Sequence, residues 1–227
     1  MNMETIKNIL CYGDSNTWGF VPGSINFTTF YMERYARHIR WTGLLQEYLG
    51  NKYHIIESGL NARTTNINTP DLFPDRNGKT YLAPCLYSHA PLDLVILFLG
   101  ANDLKIEFNR GAKEVATGLA ELIDIIQSST YGPNMKQAPA ILLISYPIPV
   151  SENSYKDINN EFIFKGAINK AKEFSMYFSA LAEQKKCHFW DAAPHIQLSD
   201  IDGIHFDEKA HQTFAELLCK KVEEIII

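Results

Sequence analysis

The sequence predicts an α/β fold: a mostly parallel sheet with helices on both faces. Two observations carry this. Short, continuous apolar runs recur along the chain, and stretches of helical periodicity separate them. No repeat, low-complexity tract or Pro/Gly-rich linker interrupts the alternation, so residues 1–227 read as a single domain.

Strands are expected near 8–13, 53–58, 93–99, 140–146 and 187–190, and their unbroken apolar character suits strands buried on both faces. Trp41 to Leu49 reads as a helix closed by Gly50. Lys113 to Gln127 sets Val115, Leu119, Leu122, Ile123 and Ile126 on one face. A single long helix is expected over 159–184, with Phe164, Ile168, Ala171, Phe174 and Phe178 at helical spacing. The last helix should begin after Asp207, a favourable N-cap, with Phe214, Leu217, Leu218, Val222 and Ile225 as its buried stripe. Two irregular stretches remain. Val21 to Arg40 carries Phe27, Phe30, Tyr31 and Tyr35, and Pro147 to Asp157 is polar with two prolines. Connections this long serve as lids or interfaces, or pack on a sheet edge.

Composition narrows the function. Of 227 residues, 46% are hydrophobic, which suits a full core. A net charge of −5 and scattered basic residues argue against nucleic-acid binding. No apolar leader precedes the first strand and no apolar stretch approaches membrane-spanning length, so a soluble cytoplasmic protein is expected. Cys11, Cys85, Cys187 and Cys219 form no Cys-x-x-Cys pair. His54, His89, His195 and His211 lack ligand-like spacing with acids or thiols, so neither a metal site nor a cofactor is expected. A nucleotide-binding role finds no Gly-x-Gly-x-x-Gly or P-loop signature.

Four motifs carry the chemistry. Gly13-Asp14-Ser15-Asn16 follows the first apolar run, Gly59 the second, and Gly100-Ala101-Asn102-Asp103 the third. Asp202-Gly203-Ile204-His205 precedes the last helix. Each falls past a strand, at the edge of the sheet where α/β proteins bind ligands. Ser15 supplies a nucleophile, His205 a general base and later acid, and Asp202 the partner that fixes the imidazole. Backbone N–H groups of Ser15 and Gly59 and the Asn102 amide are the expected oxyanion donors. Three more residues are assigned to substrate binding. Asp14 would order the loop by accepting from backbone N–H groups. Trp18 would line the acyl pocket, the alternative being packing under the loop. Arg63 would hold the oxyanion loop or reach another subunit. Asp103 is expected to cap a helix, and Asp191 is a weaker rival to Asp202.

These residues resemble the SGNH (GDSL-type) hydrolase superfamily, whose serine, glycine, asparagine and histidine blocks match Ser15, Gly59, Asn102 and His205. Longer strings, Tyr12 to Gly19, Arg40 to Leu45, Glu57 to Asn66, Pro91 to Ile96 and Asp202 to Phe206, are similar to its bacterial arylesterases, a subgroup that includes acyltransferases and perhydrolases. The resemblance implies a three-layer, flavodoxin-like α/β/α sandwich with a five-stranded parallel sheet. It also implies a metal-free Ser-His-Asp mechanism on small-molecule acyl esters, and a homo-oligomer, octamers included. Asn16 stands where the family commonly has Leu, a variant expected to leave the triad untouched. The expected function is therefore a serine esterase or acyltransferase. A carbohydrate O-deacetylase is the second enzymatic reading, and a non-catalytic scaffold retaining the fold is the third.

Overall fold

The computed structural model describes residues 6–226 except Phe27, Phe30, Pro70, Asp71, Phe73 and Ile158. Two aromatics of the first irregular stretch, Phe27 and Phe30, thus lie outside the described residues.

Five parallel strands form one sheet in the order β2-β1-β3-β4-β5: β1 Lys7–Gly13, β2 Tyr53–Gly59, β3 Leu94–Phe98, β4 Ala140–Ser145 and β5 His188–Asp191. The continuous apolar runs explain the parallel sheet, because strands covered on both faces need no polar side. All five residues of β3 and Ile9 to Tyr12 of β1 are inaccessible to solvent. Each such buried aliphatic side chain contributes about 1.5–3 kcal/mol.

Among the described residues seven α-helices flank the sheet: α1 Ser15–Trp18, α2 Trp41–Leu49, α3 Gly78–His89, α4 Ala112–Gln127, α5 Ala167–Ala171, α6 Phe174–Lys185 and α7 Glu208–Ile225. The α2–α7 pair forms one layer, and α4 packs on both α3 and α6 in the other. Phe214 of α7 meets Trp41 of α2 at 5.1 Å and Phe98 of β3 at 4.9 Å between ring centroids, tying helix layer to sheet. The strand order turns from β2 on one side of β1 to β3 on the other. The crevice beyond β1 and β3 is therefore the topological switch point, where ligands bind.

One expectation about helices is corrected, and one helix was not expected. The segment 159–184 is not one helix. Asn160 (φ 66°) and Gly166 (φ 83°) adopt left-handed backbone, and α5 and α6 start only after them. The Glu152 carboxylate, from the second irregular stretch, accepts from Gly166 N–H at 2.8 Å and Ile168 N–H at 2.6 Å, which fixes the start of α5. The apolar spacing nevertheless marks the buried face, since Phe164, Ala171, Phe174 and Phe178 are all buried. Helix α3 escaped the sequence reading. It contains Pro84 and buries only Gly78, Leu82, Cys85 and Leu86, so its apolar stripe is short.

Candidate active site

Strand β1 ends at Gly13, and Asp14 caps the single turn of α1 by accepting from Asn16 N–H at 3.0 Å. Gly13 is required by close approach: a Cβ there would lie 2.0 Å from Thr17 Oγ1 and 2.9 Å from the Phe98 carbonyl. Ser15 is the first residue of α1, so its N–H is one of the orphan donors of a helix start.

His205 Nε2 lies 2.9 Å from Ser15 Oγ, and His205 Nδ1 lies 2.8 Å from Asp202 Oδ2. The three side chains form one hydrogen-bonded chain and are nearly closed to solvent. Asp202 Oδ1 accepts from the N–H groups of Ile204 (3.2 Å) and His205 (3.0 Å); Oδ2 also accepts from Tyr155 OH (2.7 Å) and Gly23 N–H (3.2 Å). Burial alone would raise the Asp202 pKa; the hydrogen bonds and charge of His205, with Tyr155, hold it well below the usual carboxylate range. Phe20 stacks on the imidazole at 4.2 Å, and Tyr155 meets it edge-on. Gly203 (φ 77°) permits the tight turn from acid to base.

A cavity of about 250 Å³ opens above Ser15 and His205. Its walls are mainly apolar, with Phe20, Leu104, Phe164 and Phe174 among them. Asn102 sits in a 3₁₀ turn after β3, lines this cavity and has no side-chain hydrogen bond among the described residues. Gly59 does not line the cavity. It ends β2 in register with Gly13, under α1, where a Cβ would fall 2.2 Å from Trp18 N. Its glycine is demanded by packing. Ala62, three residues on, lines the cavity instead, with left-handed backbone (φ 64°) and no hydrogen bond on its N–H among the described residues. The sequence reading missed it because a positive φ at alanine has no signature in composition.

The three residues assigned to substrate binding lie elsewhere. Asp14 is fully buried, accepting from Asn16 N–H and Tyr146 OH (3.0 Å), which leaves it the loop-ordering role alone. Burial pushes its pKa up to about 6. Arg63 is buried over the Tyr12 ring at 4.1 Å and donates to the Gly13 carbonyl at 2.8 Å and to the Ser58 carbonyl. It fastens the ends of β1 and β2 and is closed to substrate. Trp18 packs beside the Arg34 guanidinium (5.1 Å) outside the cavity.

Two other expectations change. Asp103 caps no long helix; its carboxylate accepts from Thr65 N–H (3.0 Å) and Thr65 Oγ1, and pairs with Arg110. Burial raises its pKa to about 6. Asn16 does touch the triad's support. Its Oδ1 accepts from Phe206 N–H at 2.7 Å, and its Nδ2 donates to the Ile204 carbonyl at 3.2 Å and to Tyr146 OH. It thereby grips both peptide groups that bracket His205. Asp191 serves Ser145, which donates to it, far from the role of a rival acid. His211 is buried and accepts from Trp41 N–H at 3.2 Å; burial, then the charges of His205 and Arg40, lower its pKa to about 3. Among the described residues no group of three His, Cys, Asp or Glu side chains is placed to hold a metal ion, and no helix is long and apolar enough to cross a membrane.

A serine, an imidazole and a carboxylate hydrogen-bonded in this order, at the switch point of a parallel sheet, are the parts of an acyl-transfer site, and the family to which the chain belongs makes it a carboxylic ester hydrolase. The chain belongs to the GDSL-like lipase/acylhydrolase family, whose pattern it matches over residues 11–213. Among solved structures it is similar to an aryl esterase of M. smegmatis, with 38% identity and a TM-score of 0.88 over 97% of this chain and 100% of that one. It is also similar to a carbohydrate acetylesterase from Sinorhizobium meliloti, with 36% identity and a TM-score of 0.87 over 97% and 100% of the two chains. No curated protein sequence matches it.

Proposed function

We propose that residues 1–227 form one serine esterase domain that cleaves small acyl esters through Ser15, His205 and Asp202 and an acyl-enzyme intermediate. The observation that carries this reading is the continuous hydrogen-bonded chain from Ser15 Oγ through His205 to Asp202 at the cavity floor. Ser15 Oγ attacks the ester carbonyl as His205 Nε2 takes its proton. Asp202, held ionised, stabilises the imidazolium. The N–H groups of Ser15 and Ala62 and the Asn102 amide receive the oxyanion, each worth about a hundredfold or more in turnover. His205 then protonates the departing alcohol, leaving Ser15 acylated. A water molecule or a second alcohol, deprotonated by His205, releases the acyl group. The apolar cavity favours an alcohol acceptor over water, which extends the reading to acyl transfer.

Removal of acetyl groups from sugars is the second reading, favoured by the likeness to the Sinorhizobium meliloti acetylesterase. The test is hydrolysis of 4-nitrophenyl esters from acetate to octanoate, alongside acetylated sugars, by wild type and Ser15→Ala. Short-chain activity lost in Ser15→Ala, with fluorophosphonate labelling at Ser15, is expected. Acetylated sugars turned over far faster than aryl acetates would replace the first reading with the second. Comparable turnover by folded Ser15→Ala would refute both, and absent labelling would favour a scaffold.

A further inference from the structure

Two cations stand in the otherwise mainly apolar lining of the cavity: Lys105, three residues past Asn102, and Arg76, two residues before α3. Neither pairs with a carboxylate within 4 Å among the described residues. The carboxylates that act on Lys105 through space are Glu107, Asp103 and Asp14. Asp103 is held by Thr65 and Arg110, Asp14 by Asn16 and Tyr146, and Glu107 is exposed. Burial lowers the Lys105 pKa; Glu107 opposes this and the Arg76 charge adds to it. Arg76 donates Nη1 to the Pro74 carbonyl at 2.6 Å, and its Nε is buried without a hydrogen-bond partner among the described residues. Its sequence neighbour Asp75 is turned away to Thr69 and Asn77.

Charges in low-dielectric surroundings are ordinarily paired, because an unpaired one forfeits hydration without compensation. Among the described residues these two like charges, which face one mainly apolar cavity, have carboxylates acting only through space, Glu107, Asp103 and Asp14 on Lys105 and Asp75 on Arg76, so an anion entering the cavity would supply the direct partner that both lack. We propose that Lys105 and Arg76 form a carboxylate subsite, so that the preferred substrates are esters carrying a carboxylate on their acyl or alcohol part. This rests on the reading of Ser15 as nucleophile. The chain's net charge of −5 gives no general attraction for anions, so the preference must arise locally.

The test compares matched pairs. On the alcohol side these are 4-acetoxybenzoate and its methyl ester; on the acyl side, the mono-4-nitrophenyl ester of adipic acid and 4-nitrophenyl hexanoate. The quantity read is the ratio of kcat/KM within each pair, for wild type, Lys105→Met and Arg76→Met. A charge-assisted hydrogen bond lost from substrate reduces the ratio about tenfold in at least one pair, and the affected pair identifies the part that carries the carboxylate. With wild type alone, KM for the carboxylate member should rise with ionic strength while that of its neutral partner does not, a readout independent of whether either variant folds. Ratios unchanged in both variants, or no difference in salt dependence, would overturn the subsite. Serine-dependent turnover of the neutral esters would then still support the esterase reading, whereas turnover surviving in Ser15→Ala would remove the reading itself.

Discussion

Asn16→Ala should separate the support of the base from the binding of substrate. Asn16 is fully buried and joins the turn of Ser15 to the peptide groups on either side of His205. Truncation leaves the Phe206 N–H without its 2.7 Å acceptor, and an unsatisfied buried donor costs about 1–3 kcal/mol. The lost bond to the Ile204 carbonyl adds about 1 kcal/mol. A total near 3 kcal/mol corresponds to a fall in Tm of about 6–12 °C for a chain of this size. The same loss frees the His205 segment, and displacement of Nε2 by about 1 Å from its 2.9 Å contact with Ser15 costs roughly a hundredfold in kcat. Asn16 does not line the cavity, so KM should change little. Asn16→Leu restores packing volume without the hydrogen bonds; it should recover part of the Tm and none of the kcat. The assay is steady-state hydrolysis of 4-nitrophenyl acetate with thermal unfolding on the same samples. A kcat within twofold of wild type in Asn16→Ala would refute the positioning role.

Gly59→Ala should be severely destabilising, because its Cβ would meet backbone atoms of Thr17 and Trp18 that cannot rotate away; an unchanged Tm would contradict the close packing of β2 under α1. Asp202→Asn should lower kcat by about three orders of magnitude or more at pH 7 with little change in KM, since the imidazolium loses its counter-charge; a tenfold loss or less, by steady-state kinetics, would contradict Asp202 as the acid. Asp14→Asn should stabilise the protein more at pH 7 than at pH 5. The buried Asp14 carboxyl titrates near 6 in the fold against about 4 when unfolded, so below both values it has no effect. As pH rises between them the unfolded chain ionises first, and stability is lost. Between pH 5 and 7 the loss is about 1 kcal/mol, so the Tm gap between variant and wild type should widen by about 3 °C; a pH-independent gap would show that burial does not raise the Asp14 pKa.

The sheet was legible because its signal is local. Runs such as Leu94 to Phe98 can be satisfied only by burial on both faces, and the structure places strands within about a residue or two of the expected bounds. Ser15, Asn102, Asp202 and His205 could be brought together on paper because each follows a strand or precedes a helix at the same edge of the sheet. The misses are of another kind. Ala62 faces the cavity through its backbone conformation. Asn16 acts through groups almost two hundred residues away, at Ile204 and Phe206. Trp18 was placed by its nearness in sequence to Ser15, yet it packs beside Arg34 outside the cavity, and Arg63 holds the loop ends at Gly13 and Ser58 and does not face substrate. The break at 159–166 arises from backbone geometry and a cap contributed by Glu152, while the periodicity of Phe164 to Phe178 continues across it.

The two irregular stretches, readable from sequence only as lids, interfaces or edge packing, both reach the turn that carries Asp202. Gly23 of the first donates to Asp202 Oδ2, and Tyr155 of the second donates to the same oxygen. Val150 N–H also donates to the Gly203 carbonyl at 2.9 Å, and Ser151 fills the space a Gly203 side chain would need. These stretches also supply Ile25, Met32, Pro149 and Tyr155 to the cavity wall. Cavity shape and acid strength are thus set by the same residues. Withdrawal of Tyr155 would widen the cavity and remove a hydrogen bond that depresses the Asp202 pKa. Tyr155→Phe keeps the ring edge against His205 and removes the hydroxyl that Asp202 accepts from, so the stability that the depressed Asp202 pKa contributes above about pH 4 should fall, and the Tm gap to wild type should be larger at pH 7 than at pH 3, while acyl-chain preference holds. Tyr155→Ala should shift both. A Tm gap to wild type that is the same at pH 3 and pH 7 in both variants would show that the loops shape the cavity without tuning Asp202.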